Sequence, residues 1–91
     1  MRIRAYATMR DILGQSKIDL PLAEPVVICE ILIRLAAGSP AFAKALWDSQ
    51  QKLTGHVTVF VNGRAIQYLS GLDSIVEDDD TLSLFPPVAG G

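Results

Sequence analysis

The chain has 91 residues, of which 49% are apolar and 20% charged, and a net charge of −2. That length supports one domain burying about 60–65% of its unfolded surface, and the apolar content excludes a disordered chain. The eight basic residues are scattered along the sequence, which excludes nucleic acid as the main partner, because phosphate neutralisation needs a basic face.

Ile3, Ala5 and Ala7 alternate with Arg2, Arg4, Tyr6 and Thr8, the period of a first strand, and leave no apolar stretch for a leader segment. Residues 11–15 read as a turn punctuated by Gly14. Ile18, Leu20 and Leu22 then share one face of a second strand, antiparallel to the first, and Pro21 keeps its end out of a central ladder. Pro25 suits the first turn of the main helix, whose apolar run begins at Val26 and stops at Gly38. Ile28, Ile31, Leu32 and Leu35 form its packing face, flanked by Val27 and Ile33. Glu30 and Arg34 pair at i,i+4 on the other side, for a few tenths of a kcal/mol. These two charges also break the run well short of the roughly 18 apolar residues of a membrane span, so no membrane partner is expected. The single cysteine, Cys29, reads as a small buried hydrophobe. With no second thiol there is no disulfide framework, which fits a cytoplasmic location.

Ser39 is placed to N-cap a second, shorter helix over 40–49, with Pro40 at its first position, Phe42, Ala45 and Leu46 inward, and Trp47 read as core. Residues 50–55 form a polar connector. The single histidine, His56, has no Cys, Asp or Glu at ligand spacing, so it reads as a surface residue and no metal site is expected. Val57-Thr58-Val59-Phe60-Val61 is the strongest strand, being β-branched or aromatic throughout. Asn62-Gly63 is the preferred pair of a type I′ hairpin, and 64–66 return as a short strand. Residues 69–76 read as irregular with a single turn at 73–76, and 77–80 as an acidic turn. The last strand, over 81–85, is halted by Pro86 and Pro87.

This order gives an α+β, two-layer domain over 1–87: a mixed sheet with one main helix packed across it and a short second helix. For the helix to cover one face, the first and last strands pair in parallel at the centre, which is the ubiquitin-like β-grasp arrangement. Thr58 and Phe60 point to the opposite side of their strand from Val57, Val59 and Val61. One set must face the helix and the other can dock a partner, and the sequence does not fix which. Glu77, Asp78, Asp79 and Asp80 read as a solvated turn, with steering toward a basic groove on a partner as the functional alternative.

The tail, 88–91, ends on Gly90 and Gly91. Glycine backbone enters channels too narrow for a side chain, so the Gly91 carboxylate is the candidate reactive group. Carboxyl termini titrate at about 3.3–3.7, so the group is ionised at neutral pH and a poor electrophile. Joining it to AMP supplies a leaving group that a sulfur nucleophile can displace. Beyond Pro87 the chain reaches on the order of 13–14 Å, and Pro86 and Pro87 favour an extended approach. No Ser/His/Asp set, phosphate-binding glycine loop or paired catalytic carboxylates are visible, so the chain is expected to be a carrier and substrate of other enzymes.

Arg10-Asp11-Ile12-Leu13-Gly14, the run from Val57 to Gly63 and the closing run from Thr81 to Gly91 resemble the MoaD/ThiS family of ubiquitin-like sulfur carriers. The resemblance covers the whole chain, and the tail is its most specific part. It implies that an ATP-dependent activating enzyme adenylates Gly91, that a thiocarboxylate follows, and that the sulfur passes to a substrate held by a partner enzyme. Pro86, Pro87, Val88, Ala89 and Gly90 would thread into the partner, and Thr58 and Phe60 would dock it. No cofactor is bound intrinsically, ATP being used by the activating enzyme. The second helix favours the small subunit of molybdopterin synthase, whose large subunit would receive the tail. The ending Val88-Ala89-Gly90-Gly91 is also similar to carriers of cysteine biosynthesis and to archaeal protein modifiers, which leaves cysteine biosynthesis, tRNA thiolation or isopeptide conjugation to proteins as alternatives.

Overall fold

The two most regular alternating segments, one at each end of the chain, meet at the centre of a sheet in the computed structural model, which describes residues 1–87. β1 (Arg2–Ala5) and β7 (Thr81–Phe85) run parallel, with Ile3 beside Leu82 and Ala5 beside Leu84. β2 (Lys17–Asp19) pairs antiparallel with β1. On the other side of β7 lies β4 (Thr58–Val61), also antiparallel, which carries the edge strand β5 (Arg64–Ala65). The resulting order, β2-β1-β7-β4-β5, is the mixed sheet of a β-grasp domain. The β4–β5 connection has positive φ at both Asn62 and Gly63 (50° and 84°), as the type I′ reading requires.

α2 (Ile28–Ala37) turns Ile28, Ile31 and Leu32 into one core with Ile3, Val59, Leu82 and Leu84, and Leu35 packs at its margin. Burying each such side chain contributes about 1.5–3 kcal/mol relative to leaving it in water. Glu30 and Arg34 form the expected surface pair at 3.1 Å. α3 (Pro40–Leu46) begins as the sequence indicates: Pro40 opens it and the Ser39 hydroxyl accepts from the Phe42 amide at 3.2 Å. Phe42 and Leu46 complete the core. Trp47 is half-buried against that core and bridges to Leu53, and Cys29 is half-buried, not enclosed.

Some expectations need correction. A helix, α1 (Thr8–Leu13), takes the end of the segment read as the first strand and most of the one read as a turn. Met9, Ile12 and Leu13 have the i, i+3, i+4 spacing that buries one face, and Gly14 is its left-handed cap at φ 79°. Ala7 therefore does not continue the first strand inward; it is exposed, with φ 51° and ψ −126°, at the bend into α1. The second strand stops at Asp19, although Leu20 and Leu22 still pack against the core. Val26 and Val27 are not helical. They form β3 (Val26–Val27), antiparallel to β6 (Ile75–Val76), in a small second sheet. Two β-branched residues favour the extended form, and the Ile28 amide donates to the Ser74 carbonyl at 2.8 Å, so the helix starts only at Ile28. The supposed turn at 73–76 is this strand, preceded by a 3-10 turn at Gly71–Asp73, and another 3-10 turn at Ile66–Tyr68 ends the short strand at Ala65.

Candidate functional site

The alternation in β4 settles which of its faces is available. Val57, Val59 and Val61 are buried toward α2, whereas Thr58 and Phe60 are half-buried on the outer face of the sheet. β7 has the same parity: Leu82 and Leu84 are inward, and Thr81, Ser83 and Phe85 outward. Because Thr58 lies opposite Phe85 and Phe60 opposite Ser83, the outward side chains of both strands share one surface at the end where β7 leaves the sheet.

Three aromatic rings organise that surface. Tyr6 follows β1 directly, its amide N–H donating a hydrogen bond to the Leu84 carbonyl at 3.0 Å, and stacks on Phe85 at 4.6 Å with a 4° interplanar angle. Phe60 meets Phe85 edge-on, at 5.3 Å and 77°. Such pairs contribute about 0.5–1.5 kcal/mol each beyond burial, so Phe85 is fixed from two sides. The Thr58 hydroxyl donates to the Pro86 carbonyl at 3.4 Å, extending the support past the last strand residue. Pro86 is half-buried and Pro87 exposed, so the chain emerges here from the domain. Val88, Ala89, Gly90 and the expected reactive residue Gly91 lie outside the described residues, as does the proposed division between domain and tail.

Thr58 and Phe60 are thus brought together with Pro86, while Tyr6 and Phe85 join them without having been singled out from the sequence. Their signal was parity: Tyr6 follows Arg2 and Arg4, and Phe85 follows Thr81 and Ser83, on the outward positions of their strands. What parity could not supply is the parallel register that sets Tyr6 over Phe85.

The acidic turn lies at the opposite end of the sheet, before β7 begins. Asp78 accepts from the Met1 amino group at 2.8 Å and from the Leu22 amide at 2.9 Å. The bond from that ammonium, then the Leu22 amide, then the attraction of the positive charge, hold its carboxyl below the usual carboxylate range. Asp80 accepts from the Asn62 side-chain amide at 2.8 Å and from the Glu77 amide at 2.7 Å. These groups tie the turn to its neighbours, at the end of the sheet away from the tail exit. His56 is exposed, and among the described residues no group of three His, Cys, Asp or Glu could hold a metal. No helix among them is long and apolar enough to cross a membrane.

Comparison with known proteins agrees with this geometry. The chain is 33% identical to small archaeal modifier protein 3 of Haloferax volcanii over 91 residues, covering 100% of this chain and 98% of that one. The solution structure of small archaeal modifier protein 1 from Methanosarcina acetivorans superposes with a TM-score of 0.83 at 26% identity, over 99% of this chain and 94% of that one. A chain of the BexX/CysO complex of Amycolatopsis orientalis gives 0.73 at 27% identity, over 99% of this chain and 98% of that one. The ThiS family matches residues 3–91, nearly the full length, and the chain belongs to that family of small ubiquitin-like sulfur carriers.

Proposed function

We propose that this protein carries sulfur on the carboxyl of Gly91, in the role of the small subunit of molybdopterin synthase. An ATP-dependent activating enzyme joins the Gly91 carboxylate to AMP and releases pyrophosphate; a sulfur nucleophile then displaces AMP and leaves a thiocarboxylate. The thiocarboxylate passes to an acceptor enzyme, the synthase large subunit, while the domain stays outside. The observation that carries this reading is the braced exit of β7: Tyr6 and Phe60 fix Phe85, and Thr58 holds the Pro86 carbonyl. The chain is thereby directed outward at Pro86, five residues before Gly91. Thr58 and Phe60, with Tyr6 and Phe85, form the docking surface in this reading. The BexX/CysO complex supports a partnered mode of action, because it holds a chain of the same fold.

Intact mass of the protein after incubation with ATP, a sulfur source and the activating enzyme tests the proposal. Replacement of one carboxyl oxygen by sulfur is expected, and Gly91→Ala is expected to abolish it while leaving the melting temperature within about 2–4 °C, since surface substitutions stay within about 0.5 kcal/mol. An unchanged mass under all of these conditions counts against sulfur carriage. A second reading, conjugation to lysines of other proteins, is favoured by the 33% identity to a protein named as a modifier. Slow-migrating covalent adducts that disappear on deletion of Gly91 would select it. Co-purification with a PLP-dependent cysteine synthase instead of a pterin synthase would move the acceptor to cysteine biosynthesis.

A further inference from the structure

Beside the aromatic surface lies an open cavity of about 270 Å³ whose lining includes Arg4, Tyr6, Arg10, Ser16 and Lys17, and no acidic side chain. Its cations are brought together by folding, since they are scattered in the sequence. Arg4 and Lys17 are direct partners across the β1–β2 ladder. Arg10 arrives from α1, which the chain enters through the bend at Ala7. Like charges placed opposite on neighbouring strands are destabilising, and Ala7 holds a positive φ of 51° that an L side chain rarely adopts. None of these cations is ion-paired with another described residue.

Arg2 shows the contrast. It lies on the same strand face as Arg4, yet it sits opposite Asp19 and shares its cavity with Asp19, Asp78 and Asp79. Positive charge is therefore compensated where β7 begins and uncompensated where it ends. Tyr6 belongs both to the lining of the basic cavity and to the stack on Phe85, so the cavity adjoins the point from which the tail departs.

We propose that this cavity is an electrostatic docking site for an acidic protein surface: Asp or Glu side chains that border the tail channel of the activating enzyme. The identity of the partner rests on the sulfur-carrier reading; the charge of the cavity does not. An open recess of this size admits carboxylate side chains but not a folded element. Potentials of opposite sign at the two rims would speed encounter and orient the carrier tail-first. The acidic turn, at the far end, faces away from this contact.

Two measurements decide it. In ATP–pyrophosphate exchange with the activating enzyme, Arg10→Glu combined with Lys17→Glu should raise KM for the carrier by about tenfold with kcat unchanged, and the difference should shrink as salt rises. Asp79→Lys should leave both constants at their wild-type values. Equal KM for the double variant and the wild type overturns the proposal. In a second arm that needs no enzyme, an oligo-glutamate peptide is titrated into labelled protein. Backbone amide shifts are expected at Arg4, Tyr6, Arg10 and Lys17 and should vanish in the double variant. Shifts spread equally over Arg34, Lys44, Lys52 and Arg64, or reproduced by inorganic phosphate alone, overturn it. Absent exchange with wild-type carrier would count against the sulfur-carrier reading, while the peptide arm still decides the docking site.

Discussion

Where β7 begins, polar groups are matched to one another, Asp78 to the Met1 amino group and the Leu22 amide, Asp80 to Asn62 and the Glu77 amide. Where β7 ends, the rings of Tyr6, Phe85 and Phe60 brace the outgoing chain and Arg4, Arg10 and Lys17 line an open recess without carboxylates. The same strand thus has one end closed by its own hydrogen bonds and another left open for something else. Groups satisfied internally hold the fold and have little left to offer a partner. Groups left unsatisfied at a rim cost some stability and gain by binding. Variants at the two ends should accordingly fail in different assays.

The strongest test of that separation lies between the ends. Leu84→Ala, fully buried in the core beneath β7, should destabilise the domain by about 2–5 kcal/mol in denaturant unfolding, and sulfur transfer should fall only in step with the unfolded fraction. At the closed end, Asp80→Ala removes the acceptor of two hydrogen bonds. A loss of about 1–2 kcal/mol is expected, with activation kinetics of the folded protein unchanged. A raised KM for the activating enzyme in this variant would break the comparison, because it would place the acidic end in the contact.

How much of this was open to a reader of the sequence varies by element. Asn62-Gly63 and Ser39-Pro40 carry their own backbone instructions, so the hairpin and the start of α3 were legible, as were the alternating faces of β4. Val26 and Val27 were not, because a continuous apolar run has no period to separate strand from helix, and their partners Val76 and Ile75 lie far along the chain. Thr8–Leu13 was masked by Gly14, which marks a turn and also caps a helix. At the candidate site, Pro86 and the shared face of Thr58 and Phe60 could be read locally, but that this face is the outer one is fixed only by the packing of Val57, Val59 and Val61 into the core. The Tyr6–Phe85 stack and the gathering of Arg4, Arg10 and Lys17 depend on long-range register, to which the sequence spacing is blind.

At the open end, Tyr6→Ala removes the ring stacked on Phe85. Tyr6 is 44% exposed, so the stability loss should be modest, about 0.5–1.5 kcal/mol by calorimetry. Its effect on thiocarboxylate formation should be larger than that loss explains, since an unbraced Phe85 no longer directs the chain beyond Pro86. Tyr6→Phe keeps the stack and should restore the rate. If both variants behave alike, the hydroxyl and not the stack is what matters, and the bracing account fails.

The smallest effect should be a pH dependence confined to the closed end. Asp78 has its carboxyl pKa lowered from an ordinary 3.8, chiefly by its hydrogen bond from the Met1 amino group. The folded state then binds fewer protons than the unfolded one through the acid range, so stability rises with pH there. The contribution is complete above the unfolded value, near 3.8, and is lost as pH falls through the lower folded value. Because the carboxylate is exposed, solvent screening keeps the effect small. Asp78→Asn should therefore flatten the acid limb of stability against pH without altering the limb above pH 5 in slope, whereas Arg10→Glu, at the open end, should leave Asp78's contribution to the acid limb intact. An acid limb of equal steepness in wild type and Asp78→Asn would show that the closed end is held by neutral hydrogen bonds alone, and that its difference from the open end is one of geometry, not of charge.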